Sequence, residues 1–174
     1  MSKSKKNVVP PEAIADTYGV DAARWFLMSD SPPERDSLWN DAGIEGAWRY
    51  VQKVWRMIDE AVPHLPGFGS VAPDGFNDRA IALRQVTHRT IVAVSDDLER
   101  FRFNKAVARL YEFVKALSDY RPEGDDGQWA LREALETLTI LMNPMVPHLA
   151  VECWQALWST TMAVNAPWPK ADPA

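Results

Sequence analysis

Asp41-Ala42-Gly43-Ile44-Glu45-Gly46-Ala47-Trp48-Arg49-Tyr50-Val51-Gln52-Lys53-Val54-Trp55-Arg56-Met57-Ile58-Asp59-Glu60-Ala61-Val62 has the period of a helix. Ile44, Ala47, Trp48, Val51, Trp55, Ile58 and Val62 return every three or four residues, which predicts a core-facing stripe. Arg49, Lys53 and Arg56 repeat at the same period on the side away from Trp48 and Trp55. Pro63 and the run Leu65-Pro66-Gly67-Phe68-Gly69 end the pattern, and the stretch on to Gly75 reads as a polar loop.

Downstream the same logic predicts a second long helix over 78–100, with Ala80, Leu83, Thr87, Ile91, Val94, Leu98 and Phe101 as its apolar line. A third covers 104–119, with Asn104 as N-cap and Phe103, Ala106, Val107, Leu110, Val114 and Leu117 inward. Residues 120–127 hold Pro, two Gly and several acids and read as a solvated loop. A fourth helix over 128–142 buries Leu131, Leu135, Leu138 and Leu141 before Pro144 and Pro147 break it. A fifth starts at Pro147 and buries Ala150, Cys153, Trp154 and Leu157. From Ser159 the chain reads as an extended tail anchored by Trp168. Upstream, a short helix over 12–17 stops at Gly19, and another over 21–28 uses Asp21 as N-cap or first-turn acid. Ser31-Pro32-Pro33 forces an extended link. No stretch alternates with the period of a strand. The expected architecture is all-α: an antiparallel bundle of four to five helices over 36–174, preceded by a short helical appendage over 1–35.

Composition bounds the function. A chain of 174 residues, 47% hydrophobic with eight Trp, can bury a substantial core. The single Cys153 leaves no internal disulfide to form, and no apolar run approaches the ~20 residues that cross a bilayer. With no apolar segment after its cationic start there is no secretory signal, so the cytoplasm is expected. A net charge of -5 argues against gripping nucleic acid over the whole surface; any such contact must be local.

The first nine residues differ from the rest. Met1-Ser2-Lys3-Ser4-Lys5-Lys6-Asn7-Val8-Val9 is a cationic strap whose hydroxyl and ammonium donors suit phosphate oxygens. With Pro10-Pro11 and Tyr18-Gly19-Val20-Asp21-Ala22-Ala23-Arg24-Trp25 it closely resembles the signature loop of class I aminoacyl-tRNA synthetases and the segment after it. The family motif is Lys-Met-Ser-Lys-Ser, and this chain begins at its second residue. Ser31-Pro32-Pro33-Glu34-Arg35-Asp36, Trp39, Gly43-Ile44-Glu45-Gly46-Ala47 and Val54-Trp55-Arg56 look like the leucyl-tRNA synthetases in particular. Phe103-Asn104-Lys105-Ala106, Asn143-Pro144-Met145-Val146-Pro147-His148 and Ala166-Pro167-Trp168-Pro169 resemble the helical anticodon-binding domain of that family.

The resemblance implies a parent enzyme that uses ATP, with Mg, to join leucine to tRNA(Leu), its catalytic domain in cis. It implies that Lys3 stabilises charge on the ATP phosphates, with Ser2 and Ser4 supplying hydroxyl donors and a flexible turn. The motif's first lysine, the nucleotide-binding fold and a Gly-rich phosphate loop are not found here, so this polypeptide alone is expected not to form leucyl-adenylate. It reads as the part of a monomeric enzyme that docks the tRNA body through backbone and shape, without the small C-terminal domain that usually follows. Two alternatives stay open: a stand-alone helical module binding tRNA or protein, and the same region of an Ile, Val or Met enzyme.

Two cation clusters are candidate tRNA contacts. Arg49, Lys53 and Arg56 either meet phosphates or form a solvated face with Glu45–Arg49 and Arg56–Glu60 pairs. Arg100, Arg102, Lys105 and Arg109 need an acidic neighbour, either a carboxylate such as Glu99 or Glu112 or a phosphate. His64, His88 and His148 show no metal spacing and are read as structural, so no metal site is expected. Cys153 lies on an apolar face as a buried, inert thiol. The Trp stripes follow the apolar faces and are read as core, not as stacking surfaces.

Overall fold

The computed structural model describes residues 9–30, 32, 34, 35, 39–158 and 162–172. These form seven α-helices: α1 (Pro11–Tyr18), α2 (Val20–Asp30), α3 (Asp41–Ala61), α4 (Asp78–Glu99), α5 (Phe103–Asp119), α6 (Gly124–Met142) and α7 (Pro147–Trp158). Single 3-10 turns cover Val62–His64 and Ala163–Asn165, and there is no strand among the described residues. The expected all-α bundle is therefore present as five helices, α3 to α7, with two short ones before it.

Local chemistry sets the boundaries. Pro11 occupies the first turn of α1, where its missing N–H costs nothing, and Gly19 ends the helix at φ 84 with its N–H on Ala15 O, 2.9 Å away. Asn40 and Asn77 cap α3 and α4, each side-chain oxygen accepting a backbone N–H at 2.9 Å, from Gly43 and Ala80. Asn104 does not cap α5: Phe103 already belongs to the helix and Arg102 precedes it without a side-chain cap. Helix α6 starts at Gly124, four residues ahead of Gln128. Asp125 and Asp126 are first-turn acids that favour the positive helix end, not parts of a solvated loop. Asp126 Oδ2 also accepts the Asn77 N–H at 2.7 Å, tying the start of α6 to the start of α4.

Helices α4 and α5 form a hairpin across three residues, α6 packs on α4, and α7 bridges α6 to α3. Helix α2 packs against both α3 and α5, so the N-terminal segment enters the common core. Trp25, fully buried, stacks on Tyr50 at 4.4 Å and donates its Nε1–H to Tyr111 Oη at 2.9 Å. Burying rings like these contributes about 2–3 kcal/mol apiece. Gly43 is required by the neighbouring ring: a Cβ there would lie 2.5 Å from Phe26 Cε2. Asp21 sits in the first turn of α2 but caps a different helix. Its carboxylate accepts the Leu149 N–H at 2.5 Å and lies 2.9 Å from His148 Nδ1, at the start of α7. Arg24 donates to the carbonyls of Met145 and Pro144 at 2.8 and 2.9 Å, so α2 is stitched to the α6–α7 turn.

The α3 stripe is rotated from the expected one. Ile44, Ala47, Tyr50, Val54 and Ile58 are buried, Val51, Trp55 and Val62 are half-buried, and Trp48 is 41% exposed. The aromatic seam with Trp25 and Tyr111 draws Tyr50 inward, which turns Trp48 toward solvent. In α4, Ala80, Leu83, Thr87, Ile91 and Val94 are buried as expected, but Leu98 is half-buried and Phe101 is 66% exposed. Leu131 is half-buried, while Leu135, Leu138, Leu141, Ala150, Cys153, Trp154 and Leu157 lie in the core.

Candidate nucleic-acid interface

Rotating Trp48 outward leaves a groove between α3 and the C-terminal end of α5. It encloses about 620 Å³ and is lined by Trp48, Arg49, Gln52, Lys53, Arg56, Met57 and Glu60 of α3, with Leu117, Ser118 and Arg121 opposite. Four cations and one carboxylate line it, on a chain whose net charge is -5. Arg49 makes the expected pair with Glu45, at 3.6 Å and well exposed, so it contributes little and opens readily. The expected Arg56–Glu60 pair is not among the ion pairs of the described residues. Arg121 was not legible in the sequence, where it sits in an acid-rich connection. Its Nη1 donates to the Ser118 and Tyr120 carbonyls at 2.8 Å each, which fixes the guanidinium at the groove wall. At the end of α5, Lys115 pairs with Asp119 at 2.6 Å; this contact holds the Asp119 carboxyl below its ordinary range, with the nearby Arg121 and Lys53 charges adding to the effect, and raises the Lys115 ammonium.

The second cluster is arranged differently. Arg100 meets Asp96 at 2.7 Å, Arg102 meets both Asp96 and Asp97, and Arg109 reaches Asp97 at 4.0 Å and Glu112 at 3.5 Å. The required acidic neighbours are thus carboxylates of the chain itself: Glu112 as expected, and Asp96 and Asp97 where Glu99 was expected. Lys105 is exposed.

Lys3, Ser2 and Ser4 lie outside the described residues. His64 is exposed in the 3-10 turn after α3. His88 receives the Asp172 N–H on Nδ1 at 2.9 Å, with Nε2 3.4 Å from Glu133, a carboxylate that also holds Arg84 at 2.9 Å. The tail is thereby docked on α4, where Trp168 Nε1–H also donates to Ser95 Oγ at 2.8 Å. Burial pushes the Cys153 thiol up to about 12, with Glu152 adding to the effect, so no thiolate is available near neutral pH. Among the described residues no cluster of three or more His, Cys, Asp and Glu is placed to hold a metal ion, and no helix is long and apolar enough to cross a membrane.

Comparisons with known proteins give this geometry a context. Residues 81–174 match the anticodon-binding domain of tRNA ligase, and residues 1–40 match tRNA synthetases class I (I, L, M and V). Leucine–tRNA ligases of Azorhizobium caulinodans and Paramagnetospirillum magneticum are each 53% identical, over 99% and 100% of this chain. The matched regions are 21% and 20% of those relatives, so the chain spans about a fifth of the length of the curated relatives it matches. A LeuRS of Agrobacterium radiobacter K84, solved in a ternary complex with tRNA and LeuAMS, superposes with a TM-score of 0.87 at 25% identity, over 99% of this chain and 22% of that one. Methionyl-tRNA synthetase of Mycobacterium tuberculosis shares the fold, at a TM-score of 0.72 and 19% identity, over 100% of this chain and 40% of that one. Similarity to leucine–tRNA ligases thus runs through the whole sequence, and with more than half of its length matched by the domain model, the chain belongs to the anticodon-binding domain family of tRNA ligases.

Proposed function

We propose that this chain is the tRNA-docking part of a leucine–tRNA ligase, and that the α3 groove receives the sugar–phosphate backbone of the tRNA. The observation that carries this reading is the set of cations lining the groove, Arg49, Lys53, Arg56 and Arg121, on an otherwise acidic chain of this family. Guanidinium and ammonium groups there would displace counterions from phosphates, which is the main source of sequence-independent affinity. The α4–α5 cluster would add less, because a phosphate must first compete with Asp96, Asp97 and Glu112 for its arginines.

The whole protein would join leucine to tRNA(Leu) with ATP and Mg, as a monomer in the cytoplasm. Residues 1–35 would link the catalytic domain in cis to the bundle of 36–174. Lys3 would meet the ATP phosphates, with Ser2 and Ser4 as hydroxyl donors beside it. The described residues form no strand and hence no strand-to-helix phosphate loop, in keeping with a chain that alone would bind tRNA without activating leucine. In the full-length enzyme, Lys3→Ala should lower leucine-dependent pyrophosphate exchange by about 10²–10³-fold, and an unchanged rate would reject that assignment. The docking role is tested by titrating tRNA(Leu) into the chain over a range of salt concentrations. Measurable binding with a steep salt slope is expected, and no binding at low salt would refute the reading.

A further inference from the structure

We infer that Trp48 is a stacking surface for an unpaired tRNA base, set beside the cations that hold the backbone. The inference rests on the RNA reading of the groove and makes its occupant more specific. Helix α3 sends Ile44, Ala47, Tyr50, Val54 and Ile58 into the core and half-covers Val51 and Trp55. Trp48 departs from this pattern: the largest side chain type available lies 41% open to water, which forgoes much of the burial an indole can gain. It lies at the groove, with Gln52 and Arg56 following one and two turns on and Arg49 beside it.

A cation-lined wall is sufficient for phosphates, and a flat aromatic face adds nothing to that grip. What an indole face takes is another π-face, and every nucleobase has one. In a duplex stem both faces of each internal base are already covered by neighbours, so an indole on the protein finds no partner there. A loop, bulge or terminal nucleotide can turn its base out, and RNA-binding surfaces use aromatic side chains for such bases. Gln52 carries both a donor and an acceptor one turn from the indole, suited to the edge of a base lying on it. The volume of about 620 Å³ falls in the range of sites that take small organic ligands and accommodates a nucleotide. Phe101 and Trp168, also exposed, lack this setting. Phe101 stands among arginines already bound to Asp96 and Asp97, and the Trp168 indole N–H is held by Ser95.

The test uses the chain as it is, with Trp48→Ala, Trp48→Phe and the double reversal Arg49→Glu with Lys53→Glu. Binding is measured against tRNA(Leu) and against a blunt RNA duplex. Trp48→Ala should weaken tRNA binding by about 5- to 100-fold, the loss of one stacked base, with the salt slope unchanged because no phosphate contact is removed. Trp48→Phe keeps a ring and should recover most of the affinity, and the blunt duplex should bind Trp48→Ala and the unaltered chain alike. The stacking role is overturned if Trp48→Ala binds tRNA normally while the double reversal weakens it, since the groove then holds phosphates alone. It is equally overturned if Trp48→Ala loses duplex and tRNA together, because the indole then acts through packing. Were the double reversal also without effect, the RNA reading of the groove would fail with it.

Discussion

The α3 groove and the α4–α5 turn present the same residue types in almost the same number, yet they are different surfaces. In the groove, Arg49, Lys53, Arg56 and Arg121 are opposed by Glu60 in the lining, by an exposed Glu45 that holds Arg49 loosely, and by the exposed Asp119 carboxylate, which is paired to Lys115 and near Lys53 and Arg121. At the turn, Arg100, Arg102 and Arg109 are bound to Asp96, Asp97 and Glu112, and Asp97 is only 4% exposed. One set of cations is available to a ligand, and the other helps hold two helices together. Helical spacing reports which cations share a face; it is silent about which carboxylates the fold brings to them.

The largest effect should come from reversing charge on each surface in turn. Arg49→Glu with Lys53→Glu should weaken tRNA binding by about 100-fold and lower the salt slope by about 2, since two phosphate contacts become repulsive. Arg100→Glu with Lys105→Glu should change affinity by less than about 3-fold, as expected of cations outside the main contact. Equal losses at both surfaces, read from parallel salt titrations, would erase the distinction.

The helices and their order were readable in the sequence because apolar periodicity and prolines are local signals; the caps were not, since Asn104 was expected to cap and does not, while Asn40 and Asn77 do. What escaped was set by distant partners. The apolar residues of α3 fit two overlapping stripes, one through Trp48, Val51 and Trp55 and one through Tyr50, Val54 and Ile58, and both satisfy a helical period. The choice between them is made by Trp25 and Tyr111, which belong to α2 and α5. Asp21 reads as a cap for its own helix, yet its acceptors meet an N–H 128 positions away. Arg121 joins the groove only because the end of α5 comes alongside α3. Of the candidate site, the α3 cations were visible from spacing, and the wall opposite them and the exposure of Trp48 were not.

The pairing at the turn makes a stability prediction. Asp97→Asn removes the charge that Arg102 meets at 2.9 Å and Arg109 at 4.0 Å. Removing one partner from a fully buried pair costs 3–5 kcal/mol, but these arginines are partly hydrated, so a loss of about 2 kcal/mol is expected in urea unfolding. Affinity for tRNA should hold or rise, because the freed arginines become available. An unchanged midpoint would mean that the turn, like the groove, is a solvated surface.

The smallest effect separates Phe101, the exposed aromatic of the turn, from Trp48 in the groove. Phe101 sits at φ 56, a left-handed conformation that glycine adopts freely and other residues adopt at a cost of about 1–2 kcal/mol. The backbone around it closes α4 as a Schellman motif: its N–H donates to Leu98 O at 3.0 Å, and the next N–H, of Arg102, donates to Asp97 O at 2.7 Å. Phe101→Gly relieves the strain but restores about 0.5–1 kcal/mol of freedom to the unfolded chain. It also loses an edge-to-face contact with Phe103, at 6.0 Å between ring centres. The balance favours the variant by about 0.5 kcal/mol, because a ring this exposed gains little from burial. Its tRNA affinity should match that of the unaltered chain, in contrast to Trp48→Ala. A Phe101→Gly chain that is less stable would show the ring bracing the turn, and one that binds tRNA more weakly would move the aromatic contact from the groove to the hairpin.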